Sequence, residues 1–415
     1  MVNILTKNRT EIKRILKLLE ATLVPESGLE LFTVGDGFRR IVSQISNELS
    51  ELSKEPQFRE YIIEGSFGGG KTHFLKYISW LISENESGNR VVSSLDMSNL
   101  SLPGDFEHRV VRGMYSGDEK NYGEVLRNLY KRIVAHLHQE YVKQNINIYP
   151  DELEKIFETL LYFIIGTVSA GTLDRSIIEL LGNANPVSSI VRILSRKTIS
   201  SLALKARHNS SANSIKFVET YISIIKNENA PLSRFDEACI SLGKEKELCN
   251  VIFRMLKLAG YNSVIILVDE LETIKRFRED RQRQILTEIR EFRDRFSLVG
   301  EDQGFPSTAL LVASTSQFSS GGALEQLEPA LQDRWKRKKL PLIPLSESDI
   351  DHLLFRLRDL FYFAGYKLKP LDEGDIHEII TMRRKLFNNM TLVDRNPRNI
   401  IAELIKMIRE EWIVD

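Results

Sequence analysis

The run Glu64-Gly65-Ser66-Phe67-Gly68-Gly69-Gly70-Lys71-Thr72 decides how this chain folds. From Gly65 onward it fits G-x-x-x-x-G-K-[ST] at every fixed position. Its glycines let successive backbone N–H groups turn inward around an anion, where side chains would obstruct. A short apolar strand, Tyr61-Ile62-Ile63, precedes it, and a helix is expected from Lys71 to about Ser83. Strand, glycine loop and helix in that order make a phosphate-binding unit, with the helix N-terminus adding its dipole. Lys71 is placed to reach the β- and γ-phosphates, and Thr72 to put its hydroxyl on Mg²⁺. Gly65, Ser66, Phe67, Gly68, Gly69, Gly70, Lys71, Thr72 and the adjoining His73 form the expected nucleotide-binding set.

A phosphate loop of this kind needs carboxylates at the end of a neighbouring strand. Val264-Ile265-Ile266-Leu267-Val268-Asp269-Glu270 supplies them. Asp269 is expected to hold Mg²⁺, mostly through water, and Glu270 to orient and polarise an attacking water. The next apolar strand, Thr308 to Ala313, ends in Ser314-Thr315-Ser316, where a polar side chain would sit beside the γ-phosphate. Thr315 is the chosen candidate, with Ser314 and Ser316 close to it. Arg334 precedes a last candidate strand, Lys339 to Leu345, which Pro341 and Pro344 would confine to an edge. Arg398, after Asn396-Pro397, stands at the start of a C-terminal helix. A guanidinium at either place can neutralise charge on a transferring phosphoryl group, within the chain or from a neighbouring subunit.

Strands alternating with helices give an α/β class with a parallel sheet. Helices are expected over 8–22 and 38–53, with Gly35-Asp36-Gly37 as a turn between them, and over 271–296. From about Asp118 to Leu256 the pattern is helical, broken by turn-rich pieces such as Gly182-Asn183-Ala184-Asn185-Pro186. Beyond Ser346 it is helical again. The expected division is a nucleotide-binding core, 1–345, carrying a helical insertion at about 118–256, and a helical lid, 346–415.

The chain has 415 residues, 42% hydrophobic and 27% charged, with 57 basic and 57 acidic residues. That balance excludes a global basic field, so any nucleic-acid contact needs a local patch. Lys275 to Arg295 is basic but interleaved with Glu279, Asp280, Glu288, Glu291 and Asp294, a self-paired face. Arg334 to Lys339 (RWKRKK) is the stronger candidate for a subunit interface or a double-stranded DNA contact. Cys239 and Cys249 match no zinc spacing, and a reducing cytoplasm is expected. The most apolar stretch, Leu160 to Gly171, is shorter than the roughly 20 residues a membrane span requires and reads as a buried core helix.

Phosphate loop, acidic strand, polar strand end, Asp-Arg before a strand and Pro-Arg in a helical lid: this order resembles the AAA+ ATPases, the origin-recognition and replication-initiator branch in particular. The resemblance covers about 30–115 and 260–415. It implies first-sensor, arginine-finger and second-sensor roles for Thr315, Arg334 and Arg398. It also implies that Phe32-Thr33-Val34-Gly35, with Val34 and Gly35 as contacts, lies against the adenine. The chain is more closely similar to the ATP-binding proteins of BREX-type phage-defence systems. That likeness rests on Glu64 to Leu75, the strand ending Leu95-Asp96-Met97-Ser98, and the long helical insertion. It implies ATP as the nucleotide and a part in restricting foreign DNA. Two departures from the initiators stand out. A long helical insertion lies between Lys71 and Asp269, and too few residues follow Arg398 for a winged-helix DNA-binding domain. The expected function is an ATPase acting as a homo-oligomer, or in a complex with other defence proteins, on DNA or a partner protein. The alternatives are an ATP-gated scaffold that recruits a nuclease or helicase, and a replication-initiator-like loader.

Overall fold

The computed structural model describes residues 8–25, 28–31, 33, 35–52, 57–85, 89–99, 105–117, 119–169, 191, 204, 207–208, 210–227, 229–243, 248–297, 304–319, 322–369, 375–390 and 396–414. Six strands form one sheet: β1 (Phe58–Glu64), β2 (Arg90–Asp96), β3 (Met114–Tyr115), β4 (Ser263–Asp269), β5 (Ser307–Ser314) and β6 (Lys339–Pro341), in the order β3-β2-β4-β5-β1-β6. Every pairing is parallel except that of β3 with β2. The class is α/β, as the alternating strands and helices imply.

The near-continuous apolar strands are buried on both faces, as a parallel sheet requires. Alternate residues of each strand serve opposite layers. Ile265 and Leu267 of β4, with Ala309 and Leu311 of β5, meet α2 (Asp36–Glu51) and α3 (Lys71–Asn85) through Ile45, Phe74 and Ile78. Val264, Ile266 and Val268, with Leu310 and Val312, share the opposite core. That core includes α4 (Asp105–Arg112), α5 (Tyr122–Lys143), α6 (Pro150–Ser169), α7 (Ala212–Lys226), α8 (Leu232–Gly243), α9 (Leu248–Leu258) and α10 (Glu279–Ser297). The described helices between α3 and β4 thus share the sheet's own core. Leu160, Leu161, Tyr162, Ile164 and Ile165 of α6 are buried there, in keeping with a core helix. Cys239 and Cys249 are free and buried.

A third apolar cluster joins α12 (Glu347–Phe363), α13 (Asp375–Asn389) and α14 (Pro397–Glu411), which follow the short α11 (Pro329–Trp335). Helix α1 (Arg9–Glu20) belongs to it through Ile12, Ile15, Leu16 and Leu19, so the first and last described helices pack together. No helix among the described residues is long and apolar enough to cross a membrane.

Several local expectations need correction. The stretch Gly35-Asp36-Gly37 is no free-standing turn. Gly35, at φ +103°, caps α2, and Asp36 and Gly37 already lie in its first turn. The helix expected over 271–296 is a 3₁₀ turn, Leu271–Arg276, followed by α10. β6 stops at Pro341, short of Leu345: Leu342 N–H still donates to Glu64 O (2.7 Å), and the next position facing β1, Pro344, has no N–H to donate. Helix α4 and strand β3 were not anticipated. Phe32, Val34 and the turn at 182–186 lie outside the described residues.

Candidate functional site

Register places the chemistry-bearing residues along the carboxyl edge of the sheet. Glu64 pairs with Ser314, and Asp96 with Asp269. β5 lies between β1 and β4, so the end of β5 faces both the glycine loop and the acidic pair. In open α/β sheets this edge is where ligands bind.

The loop leaves β1 at Gly65 and enters α3 at Lys71. Gly68 and Gly70 have φ of +72° and +88°, which only glycine adopts without strain. Gly69 N–H donates to Ser66 O (3.0 Å), closing the turn. Lys71 is buried, and its ammonium donates to the carbonyls of Gly65 (3.3 Å) and Ser66 (3.1 Å) and pairs with Glu272 Oε1 (3.5 Å). Nothing in the glycine pattern pointed to Glu272.

Glu270 is one of three described non-glycine residues with positive φ, at φ +54° and ψ +40°. A left-handed backbone costs an ordinary residue roughly 1–2 kcal/mol, so its surroundings hold it there. Its N–H donates to Asp269 Oδ1 (2.9 Å), and its carbonyl accepts from the Thr273 hydroxyl (2.7 Å) and N–H (2.9 Å). The buried run of β4 thereby ends with two consecutive carboxylates at the sheet edge. Burial pushes the Asp269 carboxyl up, against the Thr72 hydroxyl, Glu270 N–H and Lys71, which favour its ionised form. Burial also raises the Glu270 carboxyl, helped by Asp96, Asp269 and Glu272 nearby. A desolvated carboxylate beside the Thr72 hydroxyl suits a hard divalent cation, since oxygen donors and charge are both present. Thr72 and Asp269 fit Mg²⁺ on that ground.

A cavity of about 340 Å³ brings most of the expected residues together. Its polar side holds Phe67 to His73, Asp269, Glu270 and Glu272. Its apolar side is built from Leu23 and Val24 after α1, Gly35, Gly37 and Phe38, and Ile343 and Leu345 in the linker before α12. Pro397, Arg398 and Ile401 of α14 close it. The volume suits a small-molecule cofactor, with an apolar slot beside convergent polar groups. Packing is tight at both ends. A Cβ on Gly37 would come within 2.8 Å of Ile343, and one on Gly68 within 2.6 Å of Asn396 Oδ1. Asn396 caps α14 by accepting from Asn399 N–H (3.0 Å). Arg398 stacks over the exposed Phe67 ring, 5.7 Å from its centroid.

The remaining expected residues stand elsewhere. Thr315 does not line the cavity; its N–H donates to Glu272 Oε2 (3.2 Å). Arg334 is away from the cavity and pairs with Asp294 (2.9 Å) in its own chain. The basic helix α10 is self-paired only in part, through Arg283 with Glu279 and Arg293 with Asp294; Arg293 and Arg295 also reach off the helix, to Glu60 of β1 and Glu107 of α4. Lys336, Arg337 and Lys338 are exposed. Sequence reasoning missed Glu272, Asn396 and the apolar contributors from Leu23, Val24, Ile343 and Leu345. The Asp-Glu-x-Glu spacing and the Asn-Pro helix start were the available signals for the first two.

His73 touches the apolar side. Thr33 donates its only hydroxyl proton to Leu29 O (2.7 Å), so its oxygen must accept from His73 Nε2–H (2.9 Å). Burial, with Lys76 nearby, pushes the His73 pKa from 6.5 down to about 4. Between those values the unfolded chain binds a proton that the fold refuses. Stability is therefore complete above pH 6.5 and falls as pH drops toward 4, by on the order of 3 kcal/mol. Denaturant titrations at pH 7 and pH 5 should show roughly 2 kcal/mol of this loss in the wild type and less in His73→Gln.

The family model of the BREX system ATP-binding protein BrxC/D matches residues 7–170 and 244–410, most of the chain. The chain belongs to that family of phage-defence ATP-binding proteins. The unmatched interval, 171–243, lies between α6 and α9. No curated protein matches the chain in a sequence comparison.

Proposed function

From that membership and the geometry of the cavity, we propose that the chain is an AAA+ ATPase that binds ATP with Mg²⁺ and hydrolyses it. The observation that carries this reading is the convergence of Lys71, Thr72, Asp269 and Glu270 on one cavity whose other side is apolar. The adenine occupies the slot between Gly35, Leu23 and Ile343, and the triphosphate lies along the glycine loop. Thr72 and Asp269 hold the metal, which supplies charge neutralisation on the phosphates. Glu270, poised at the sheet edge in its left-handed turn, orients the attacking water and accepts its proton. Thr315 serves as first sensor, through its position at the end of β5 beside Glu272. Arg398 is the second sensor, contributed by the lid, 346–415, with α1 packed against it. The core is 1–345, with the insertion at about 118–256 as a docking platform. The strand order, with β5 between the glycine-loop strand and the acidic strand, supports the AAA+ reading.

In this reading Arg334 acts on the nucleotide of a neighbouring copy, and the working form is a cytoplasmic oligomer or a complex with other defence proteins. Its substrate is DNA or a partner protein, with Lys336 to Lys338 as the candidate contact. The Arg334–Asp294 pair is partly exposed and worth no more than about 1 kcal/mol, so it can open for that purpose. Arg334→Ala is expected to fold and to bind ATP, with turnover reduced at least tenfold, as for loss of a transition-state arginine. Steady-state hydrolysis beside equilibrium ATP binding checks it, and an unchanged rate removes the assignment. Negligible turnover by the wild type with ATP firmly bound would favour an ATP-gated scaffold instead.

A further inference from the structure

We propose that Glu272 is a built-in counter-ion for Lys71 that gives way to nucleotide phosphate while keeping hold of the Thr315 backbone. It rests on the ATP-hydrolysis reading above and adds a positioning residue to it. The Lys71 ammonium has three protons and faces three acceptors: Gly65 O, Ser66 O and Glu272 Oε1. A phosphate oxygen can take the ammonium only by displacing one of them. The two carbonyls belong to the glycine turn itself. Glu272 makes the longest of the three contacts, at 3.5 Å, and is the charged member. It also lines the cavity, where its carboxylate opposes an incoming phosphate.

The pair is sheltered from solvent, with side-chain exposures of 8% for Lys71 and 19% for Glu272. Its attraction is weakly screened, and without Glu272 the buried ammonium would have no carboxylate paired with it, only the field of Asp269. The other carboxylate oxygen, Oε2, accepts from Thr315 N–H (3.2 Å). One side chain thus ties the glycine loop to the end of β5, across the turn that presents Glu270. When phosphate takes Lys71, Glu272 loses one partner and retains the other. The occupancy of the loop is thereby felt at the first-sensor position.

The test compares ATP affinity and turnover in wild type, Glu272→Gln and Glu272→Ala. Glutamine is isosteric and removes the competing charge, while its single carbonyl oxygen can still accept from Thr315 N–H once it leaves Lys71. ATP should bind Glu272→Gln about tenfold more tightly than wild type. Glu272→Ala should also bind more tightly, but with Thr315 N–H deprived of its acceptor its kcat should lie at least about fivefold below that of Glu272→Gln. Unchanged or weaker ATP affinity in Glu272→Gln overturns the counter-ion role. Equal kcat in the two variants overturns the tether. A wild type that binds no ATP refutes the underlying reading instead, so the two failures are distinguishable. If the alanine variant does not fold, the affinity of the isosteric glutamine variant still decides the exchange.

Discussion

Glu270→Gln is expected to lower ATP turnover by at least about 100-fold while leaving ATP bound, because general-base catalysis contributes roughly 10²–10⁴ in rate. The substitution keeps the shape and removes the basic oxygen. The left-handed turn should survive, since Asp269 and Thr273 hold the backbone of residue 270 and leave its side chain out of their bonds. The raised Glu270 carboxyl has a consequence of sign: a base with elevated pKa loses its proton at higher pH, so turnover should climb with pH through that titration. A pH–rate profile of kcat checks the direction. A flat profile, or a glutamine variant as active as wild type, would remove Glu270 from the base role.

Lys71→Ala is expected to weaken ATP binding by at least about 100-fold, the cost of removing a charge-assisted contact from a sheltered site. The same change leaves Glu272 facing the phosphates without its cation, which adds repulsion to the lost attraction. In practice, ATP at about ten times the wild-type Kd should raise the midpoint of thermal unfolding in wild type and leave that of Lys71→Ala almost unmoved, because stabilisation follows the occupancy of the fold. A full shift in the variant would mean that the triphosphate lies elsewhere.

The fold was largely legible because its decisive signals are local. Continuous apolar strands, a glycine loop and periodic helices each follow from a few neighbouring residues, as Val264 to Val268 and Gly65 to Thr72 illustrate. The boundaries failed where a residue competes with its neighbours for backbone conformation. Gly35 caps a helix that the Gly-Asp-Gly run disguised as a turn, and Phe277-Arg278 separates a 3₁₀ turn from α10. In the candidate site, the glycine loop and the acidic pair were readable because spacing determines them. Glu272, Asn396 and the apolar slot were not. Their relevance comes from tertiary register: β5 inserted between β1 and β4, and α1, α12 and α14 folded over the loop. No window of sequence contains that arrangement. For the same reason the sequence singled out Thr315 for its side chain, whereas the structure engages its backbone N–H.

The central claim is that the cavity between the glycine loop and α14 holds ATP. Calorimetric titration of the wild type and of Lys71→Ala with ATP in the presence of Mg²⁺ tests it most directly. One ATP per chain is expected in the wild type, and binding at least about 100-fold weaker in the variant. Equal binding by both proteins would contradict it.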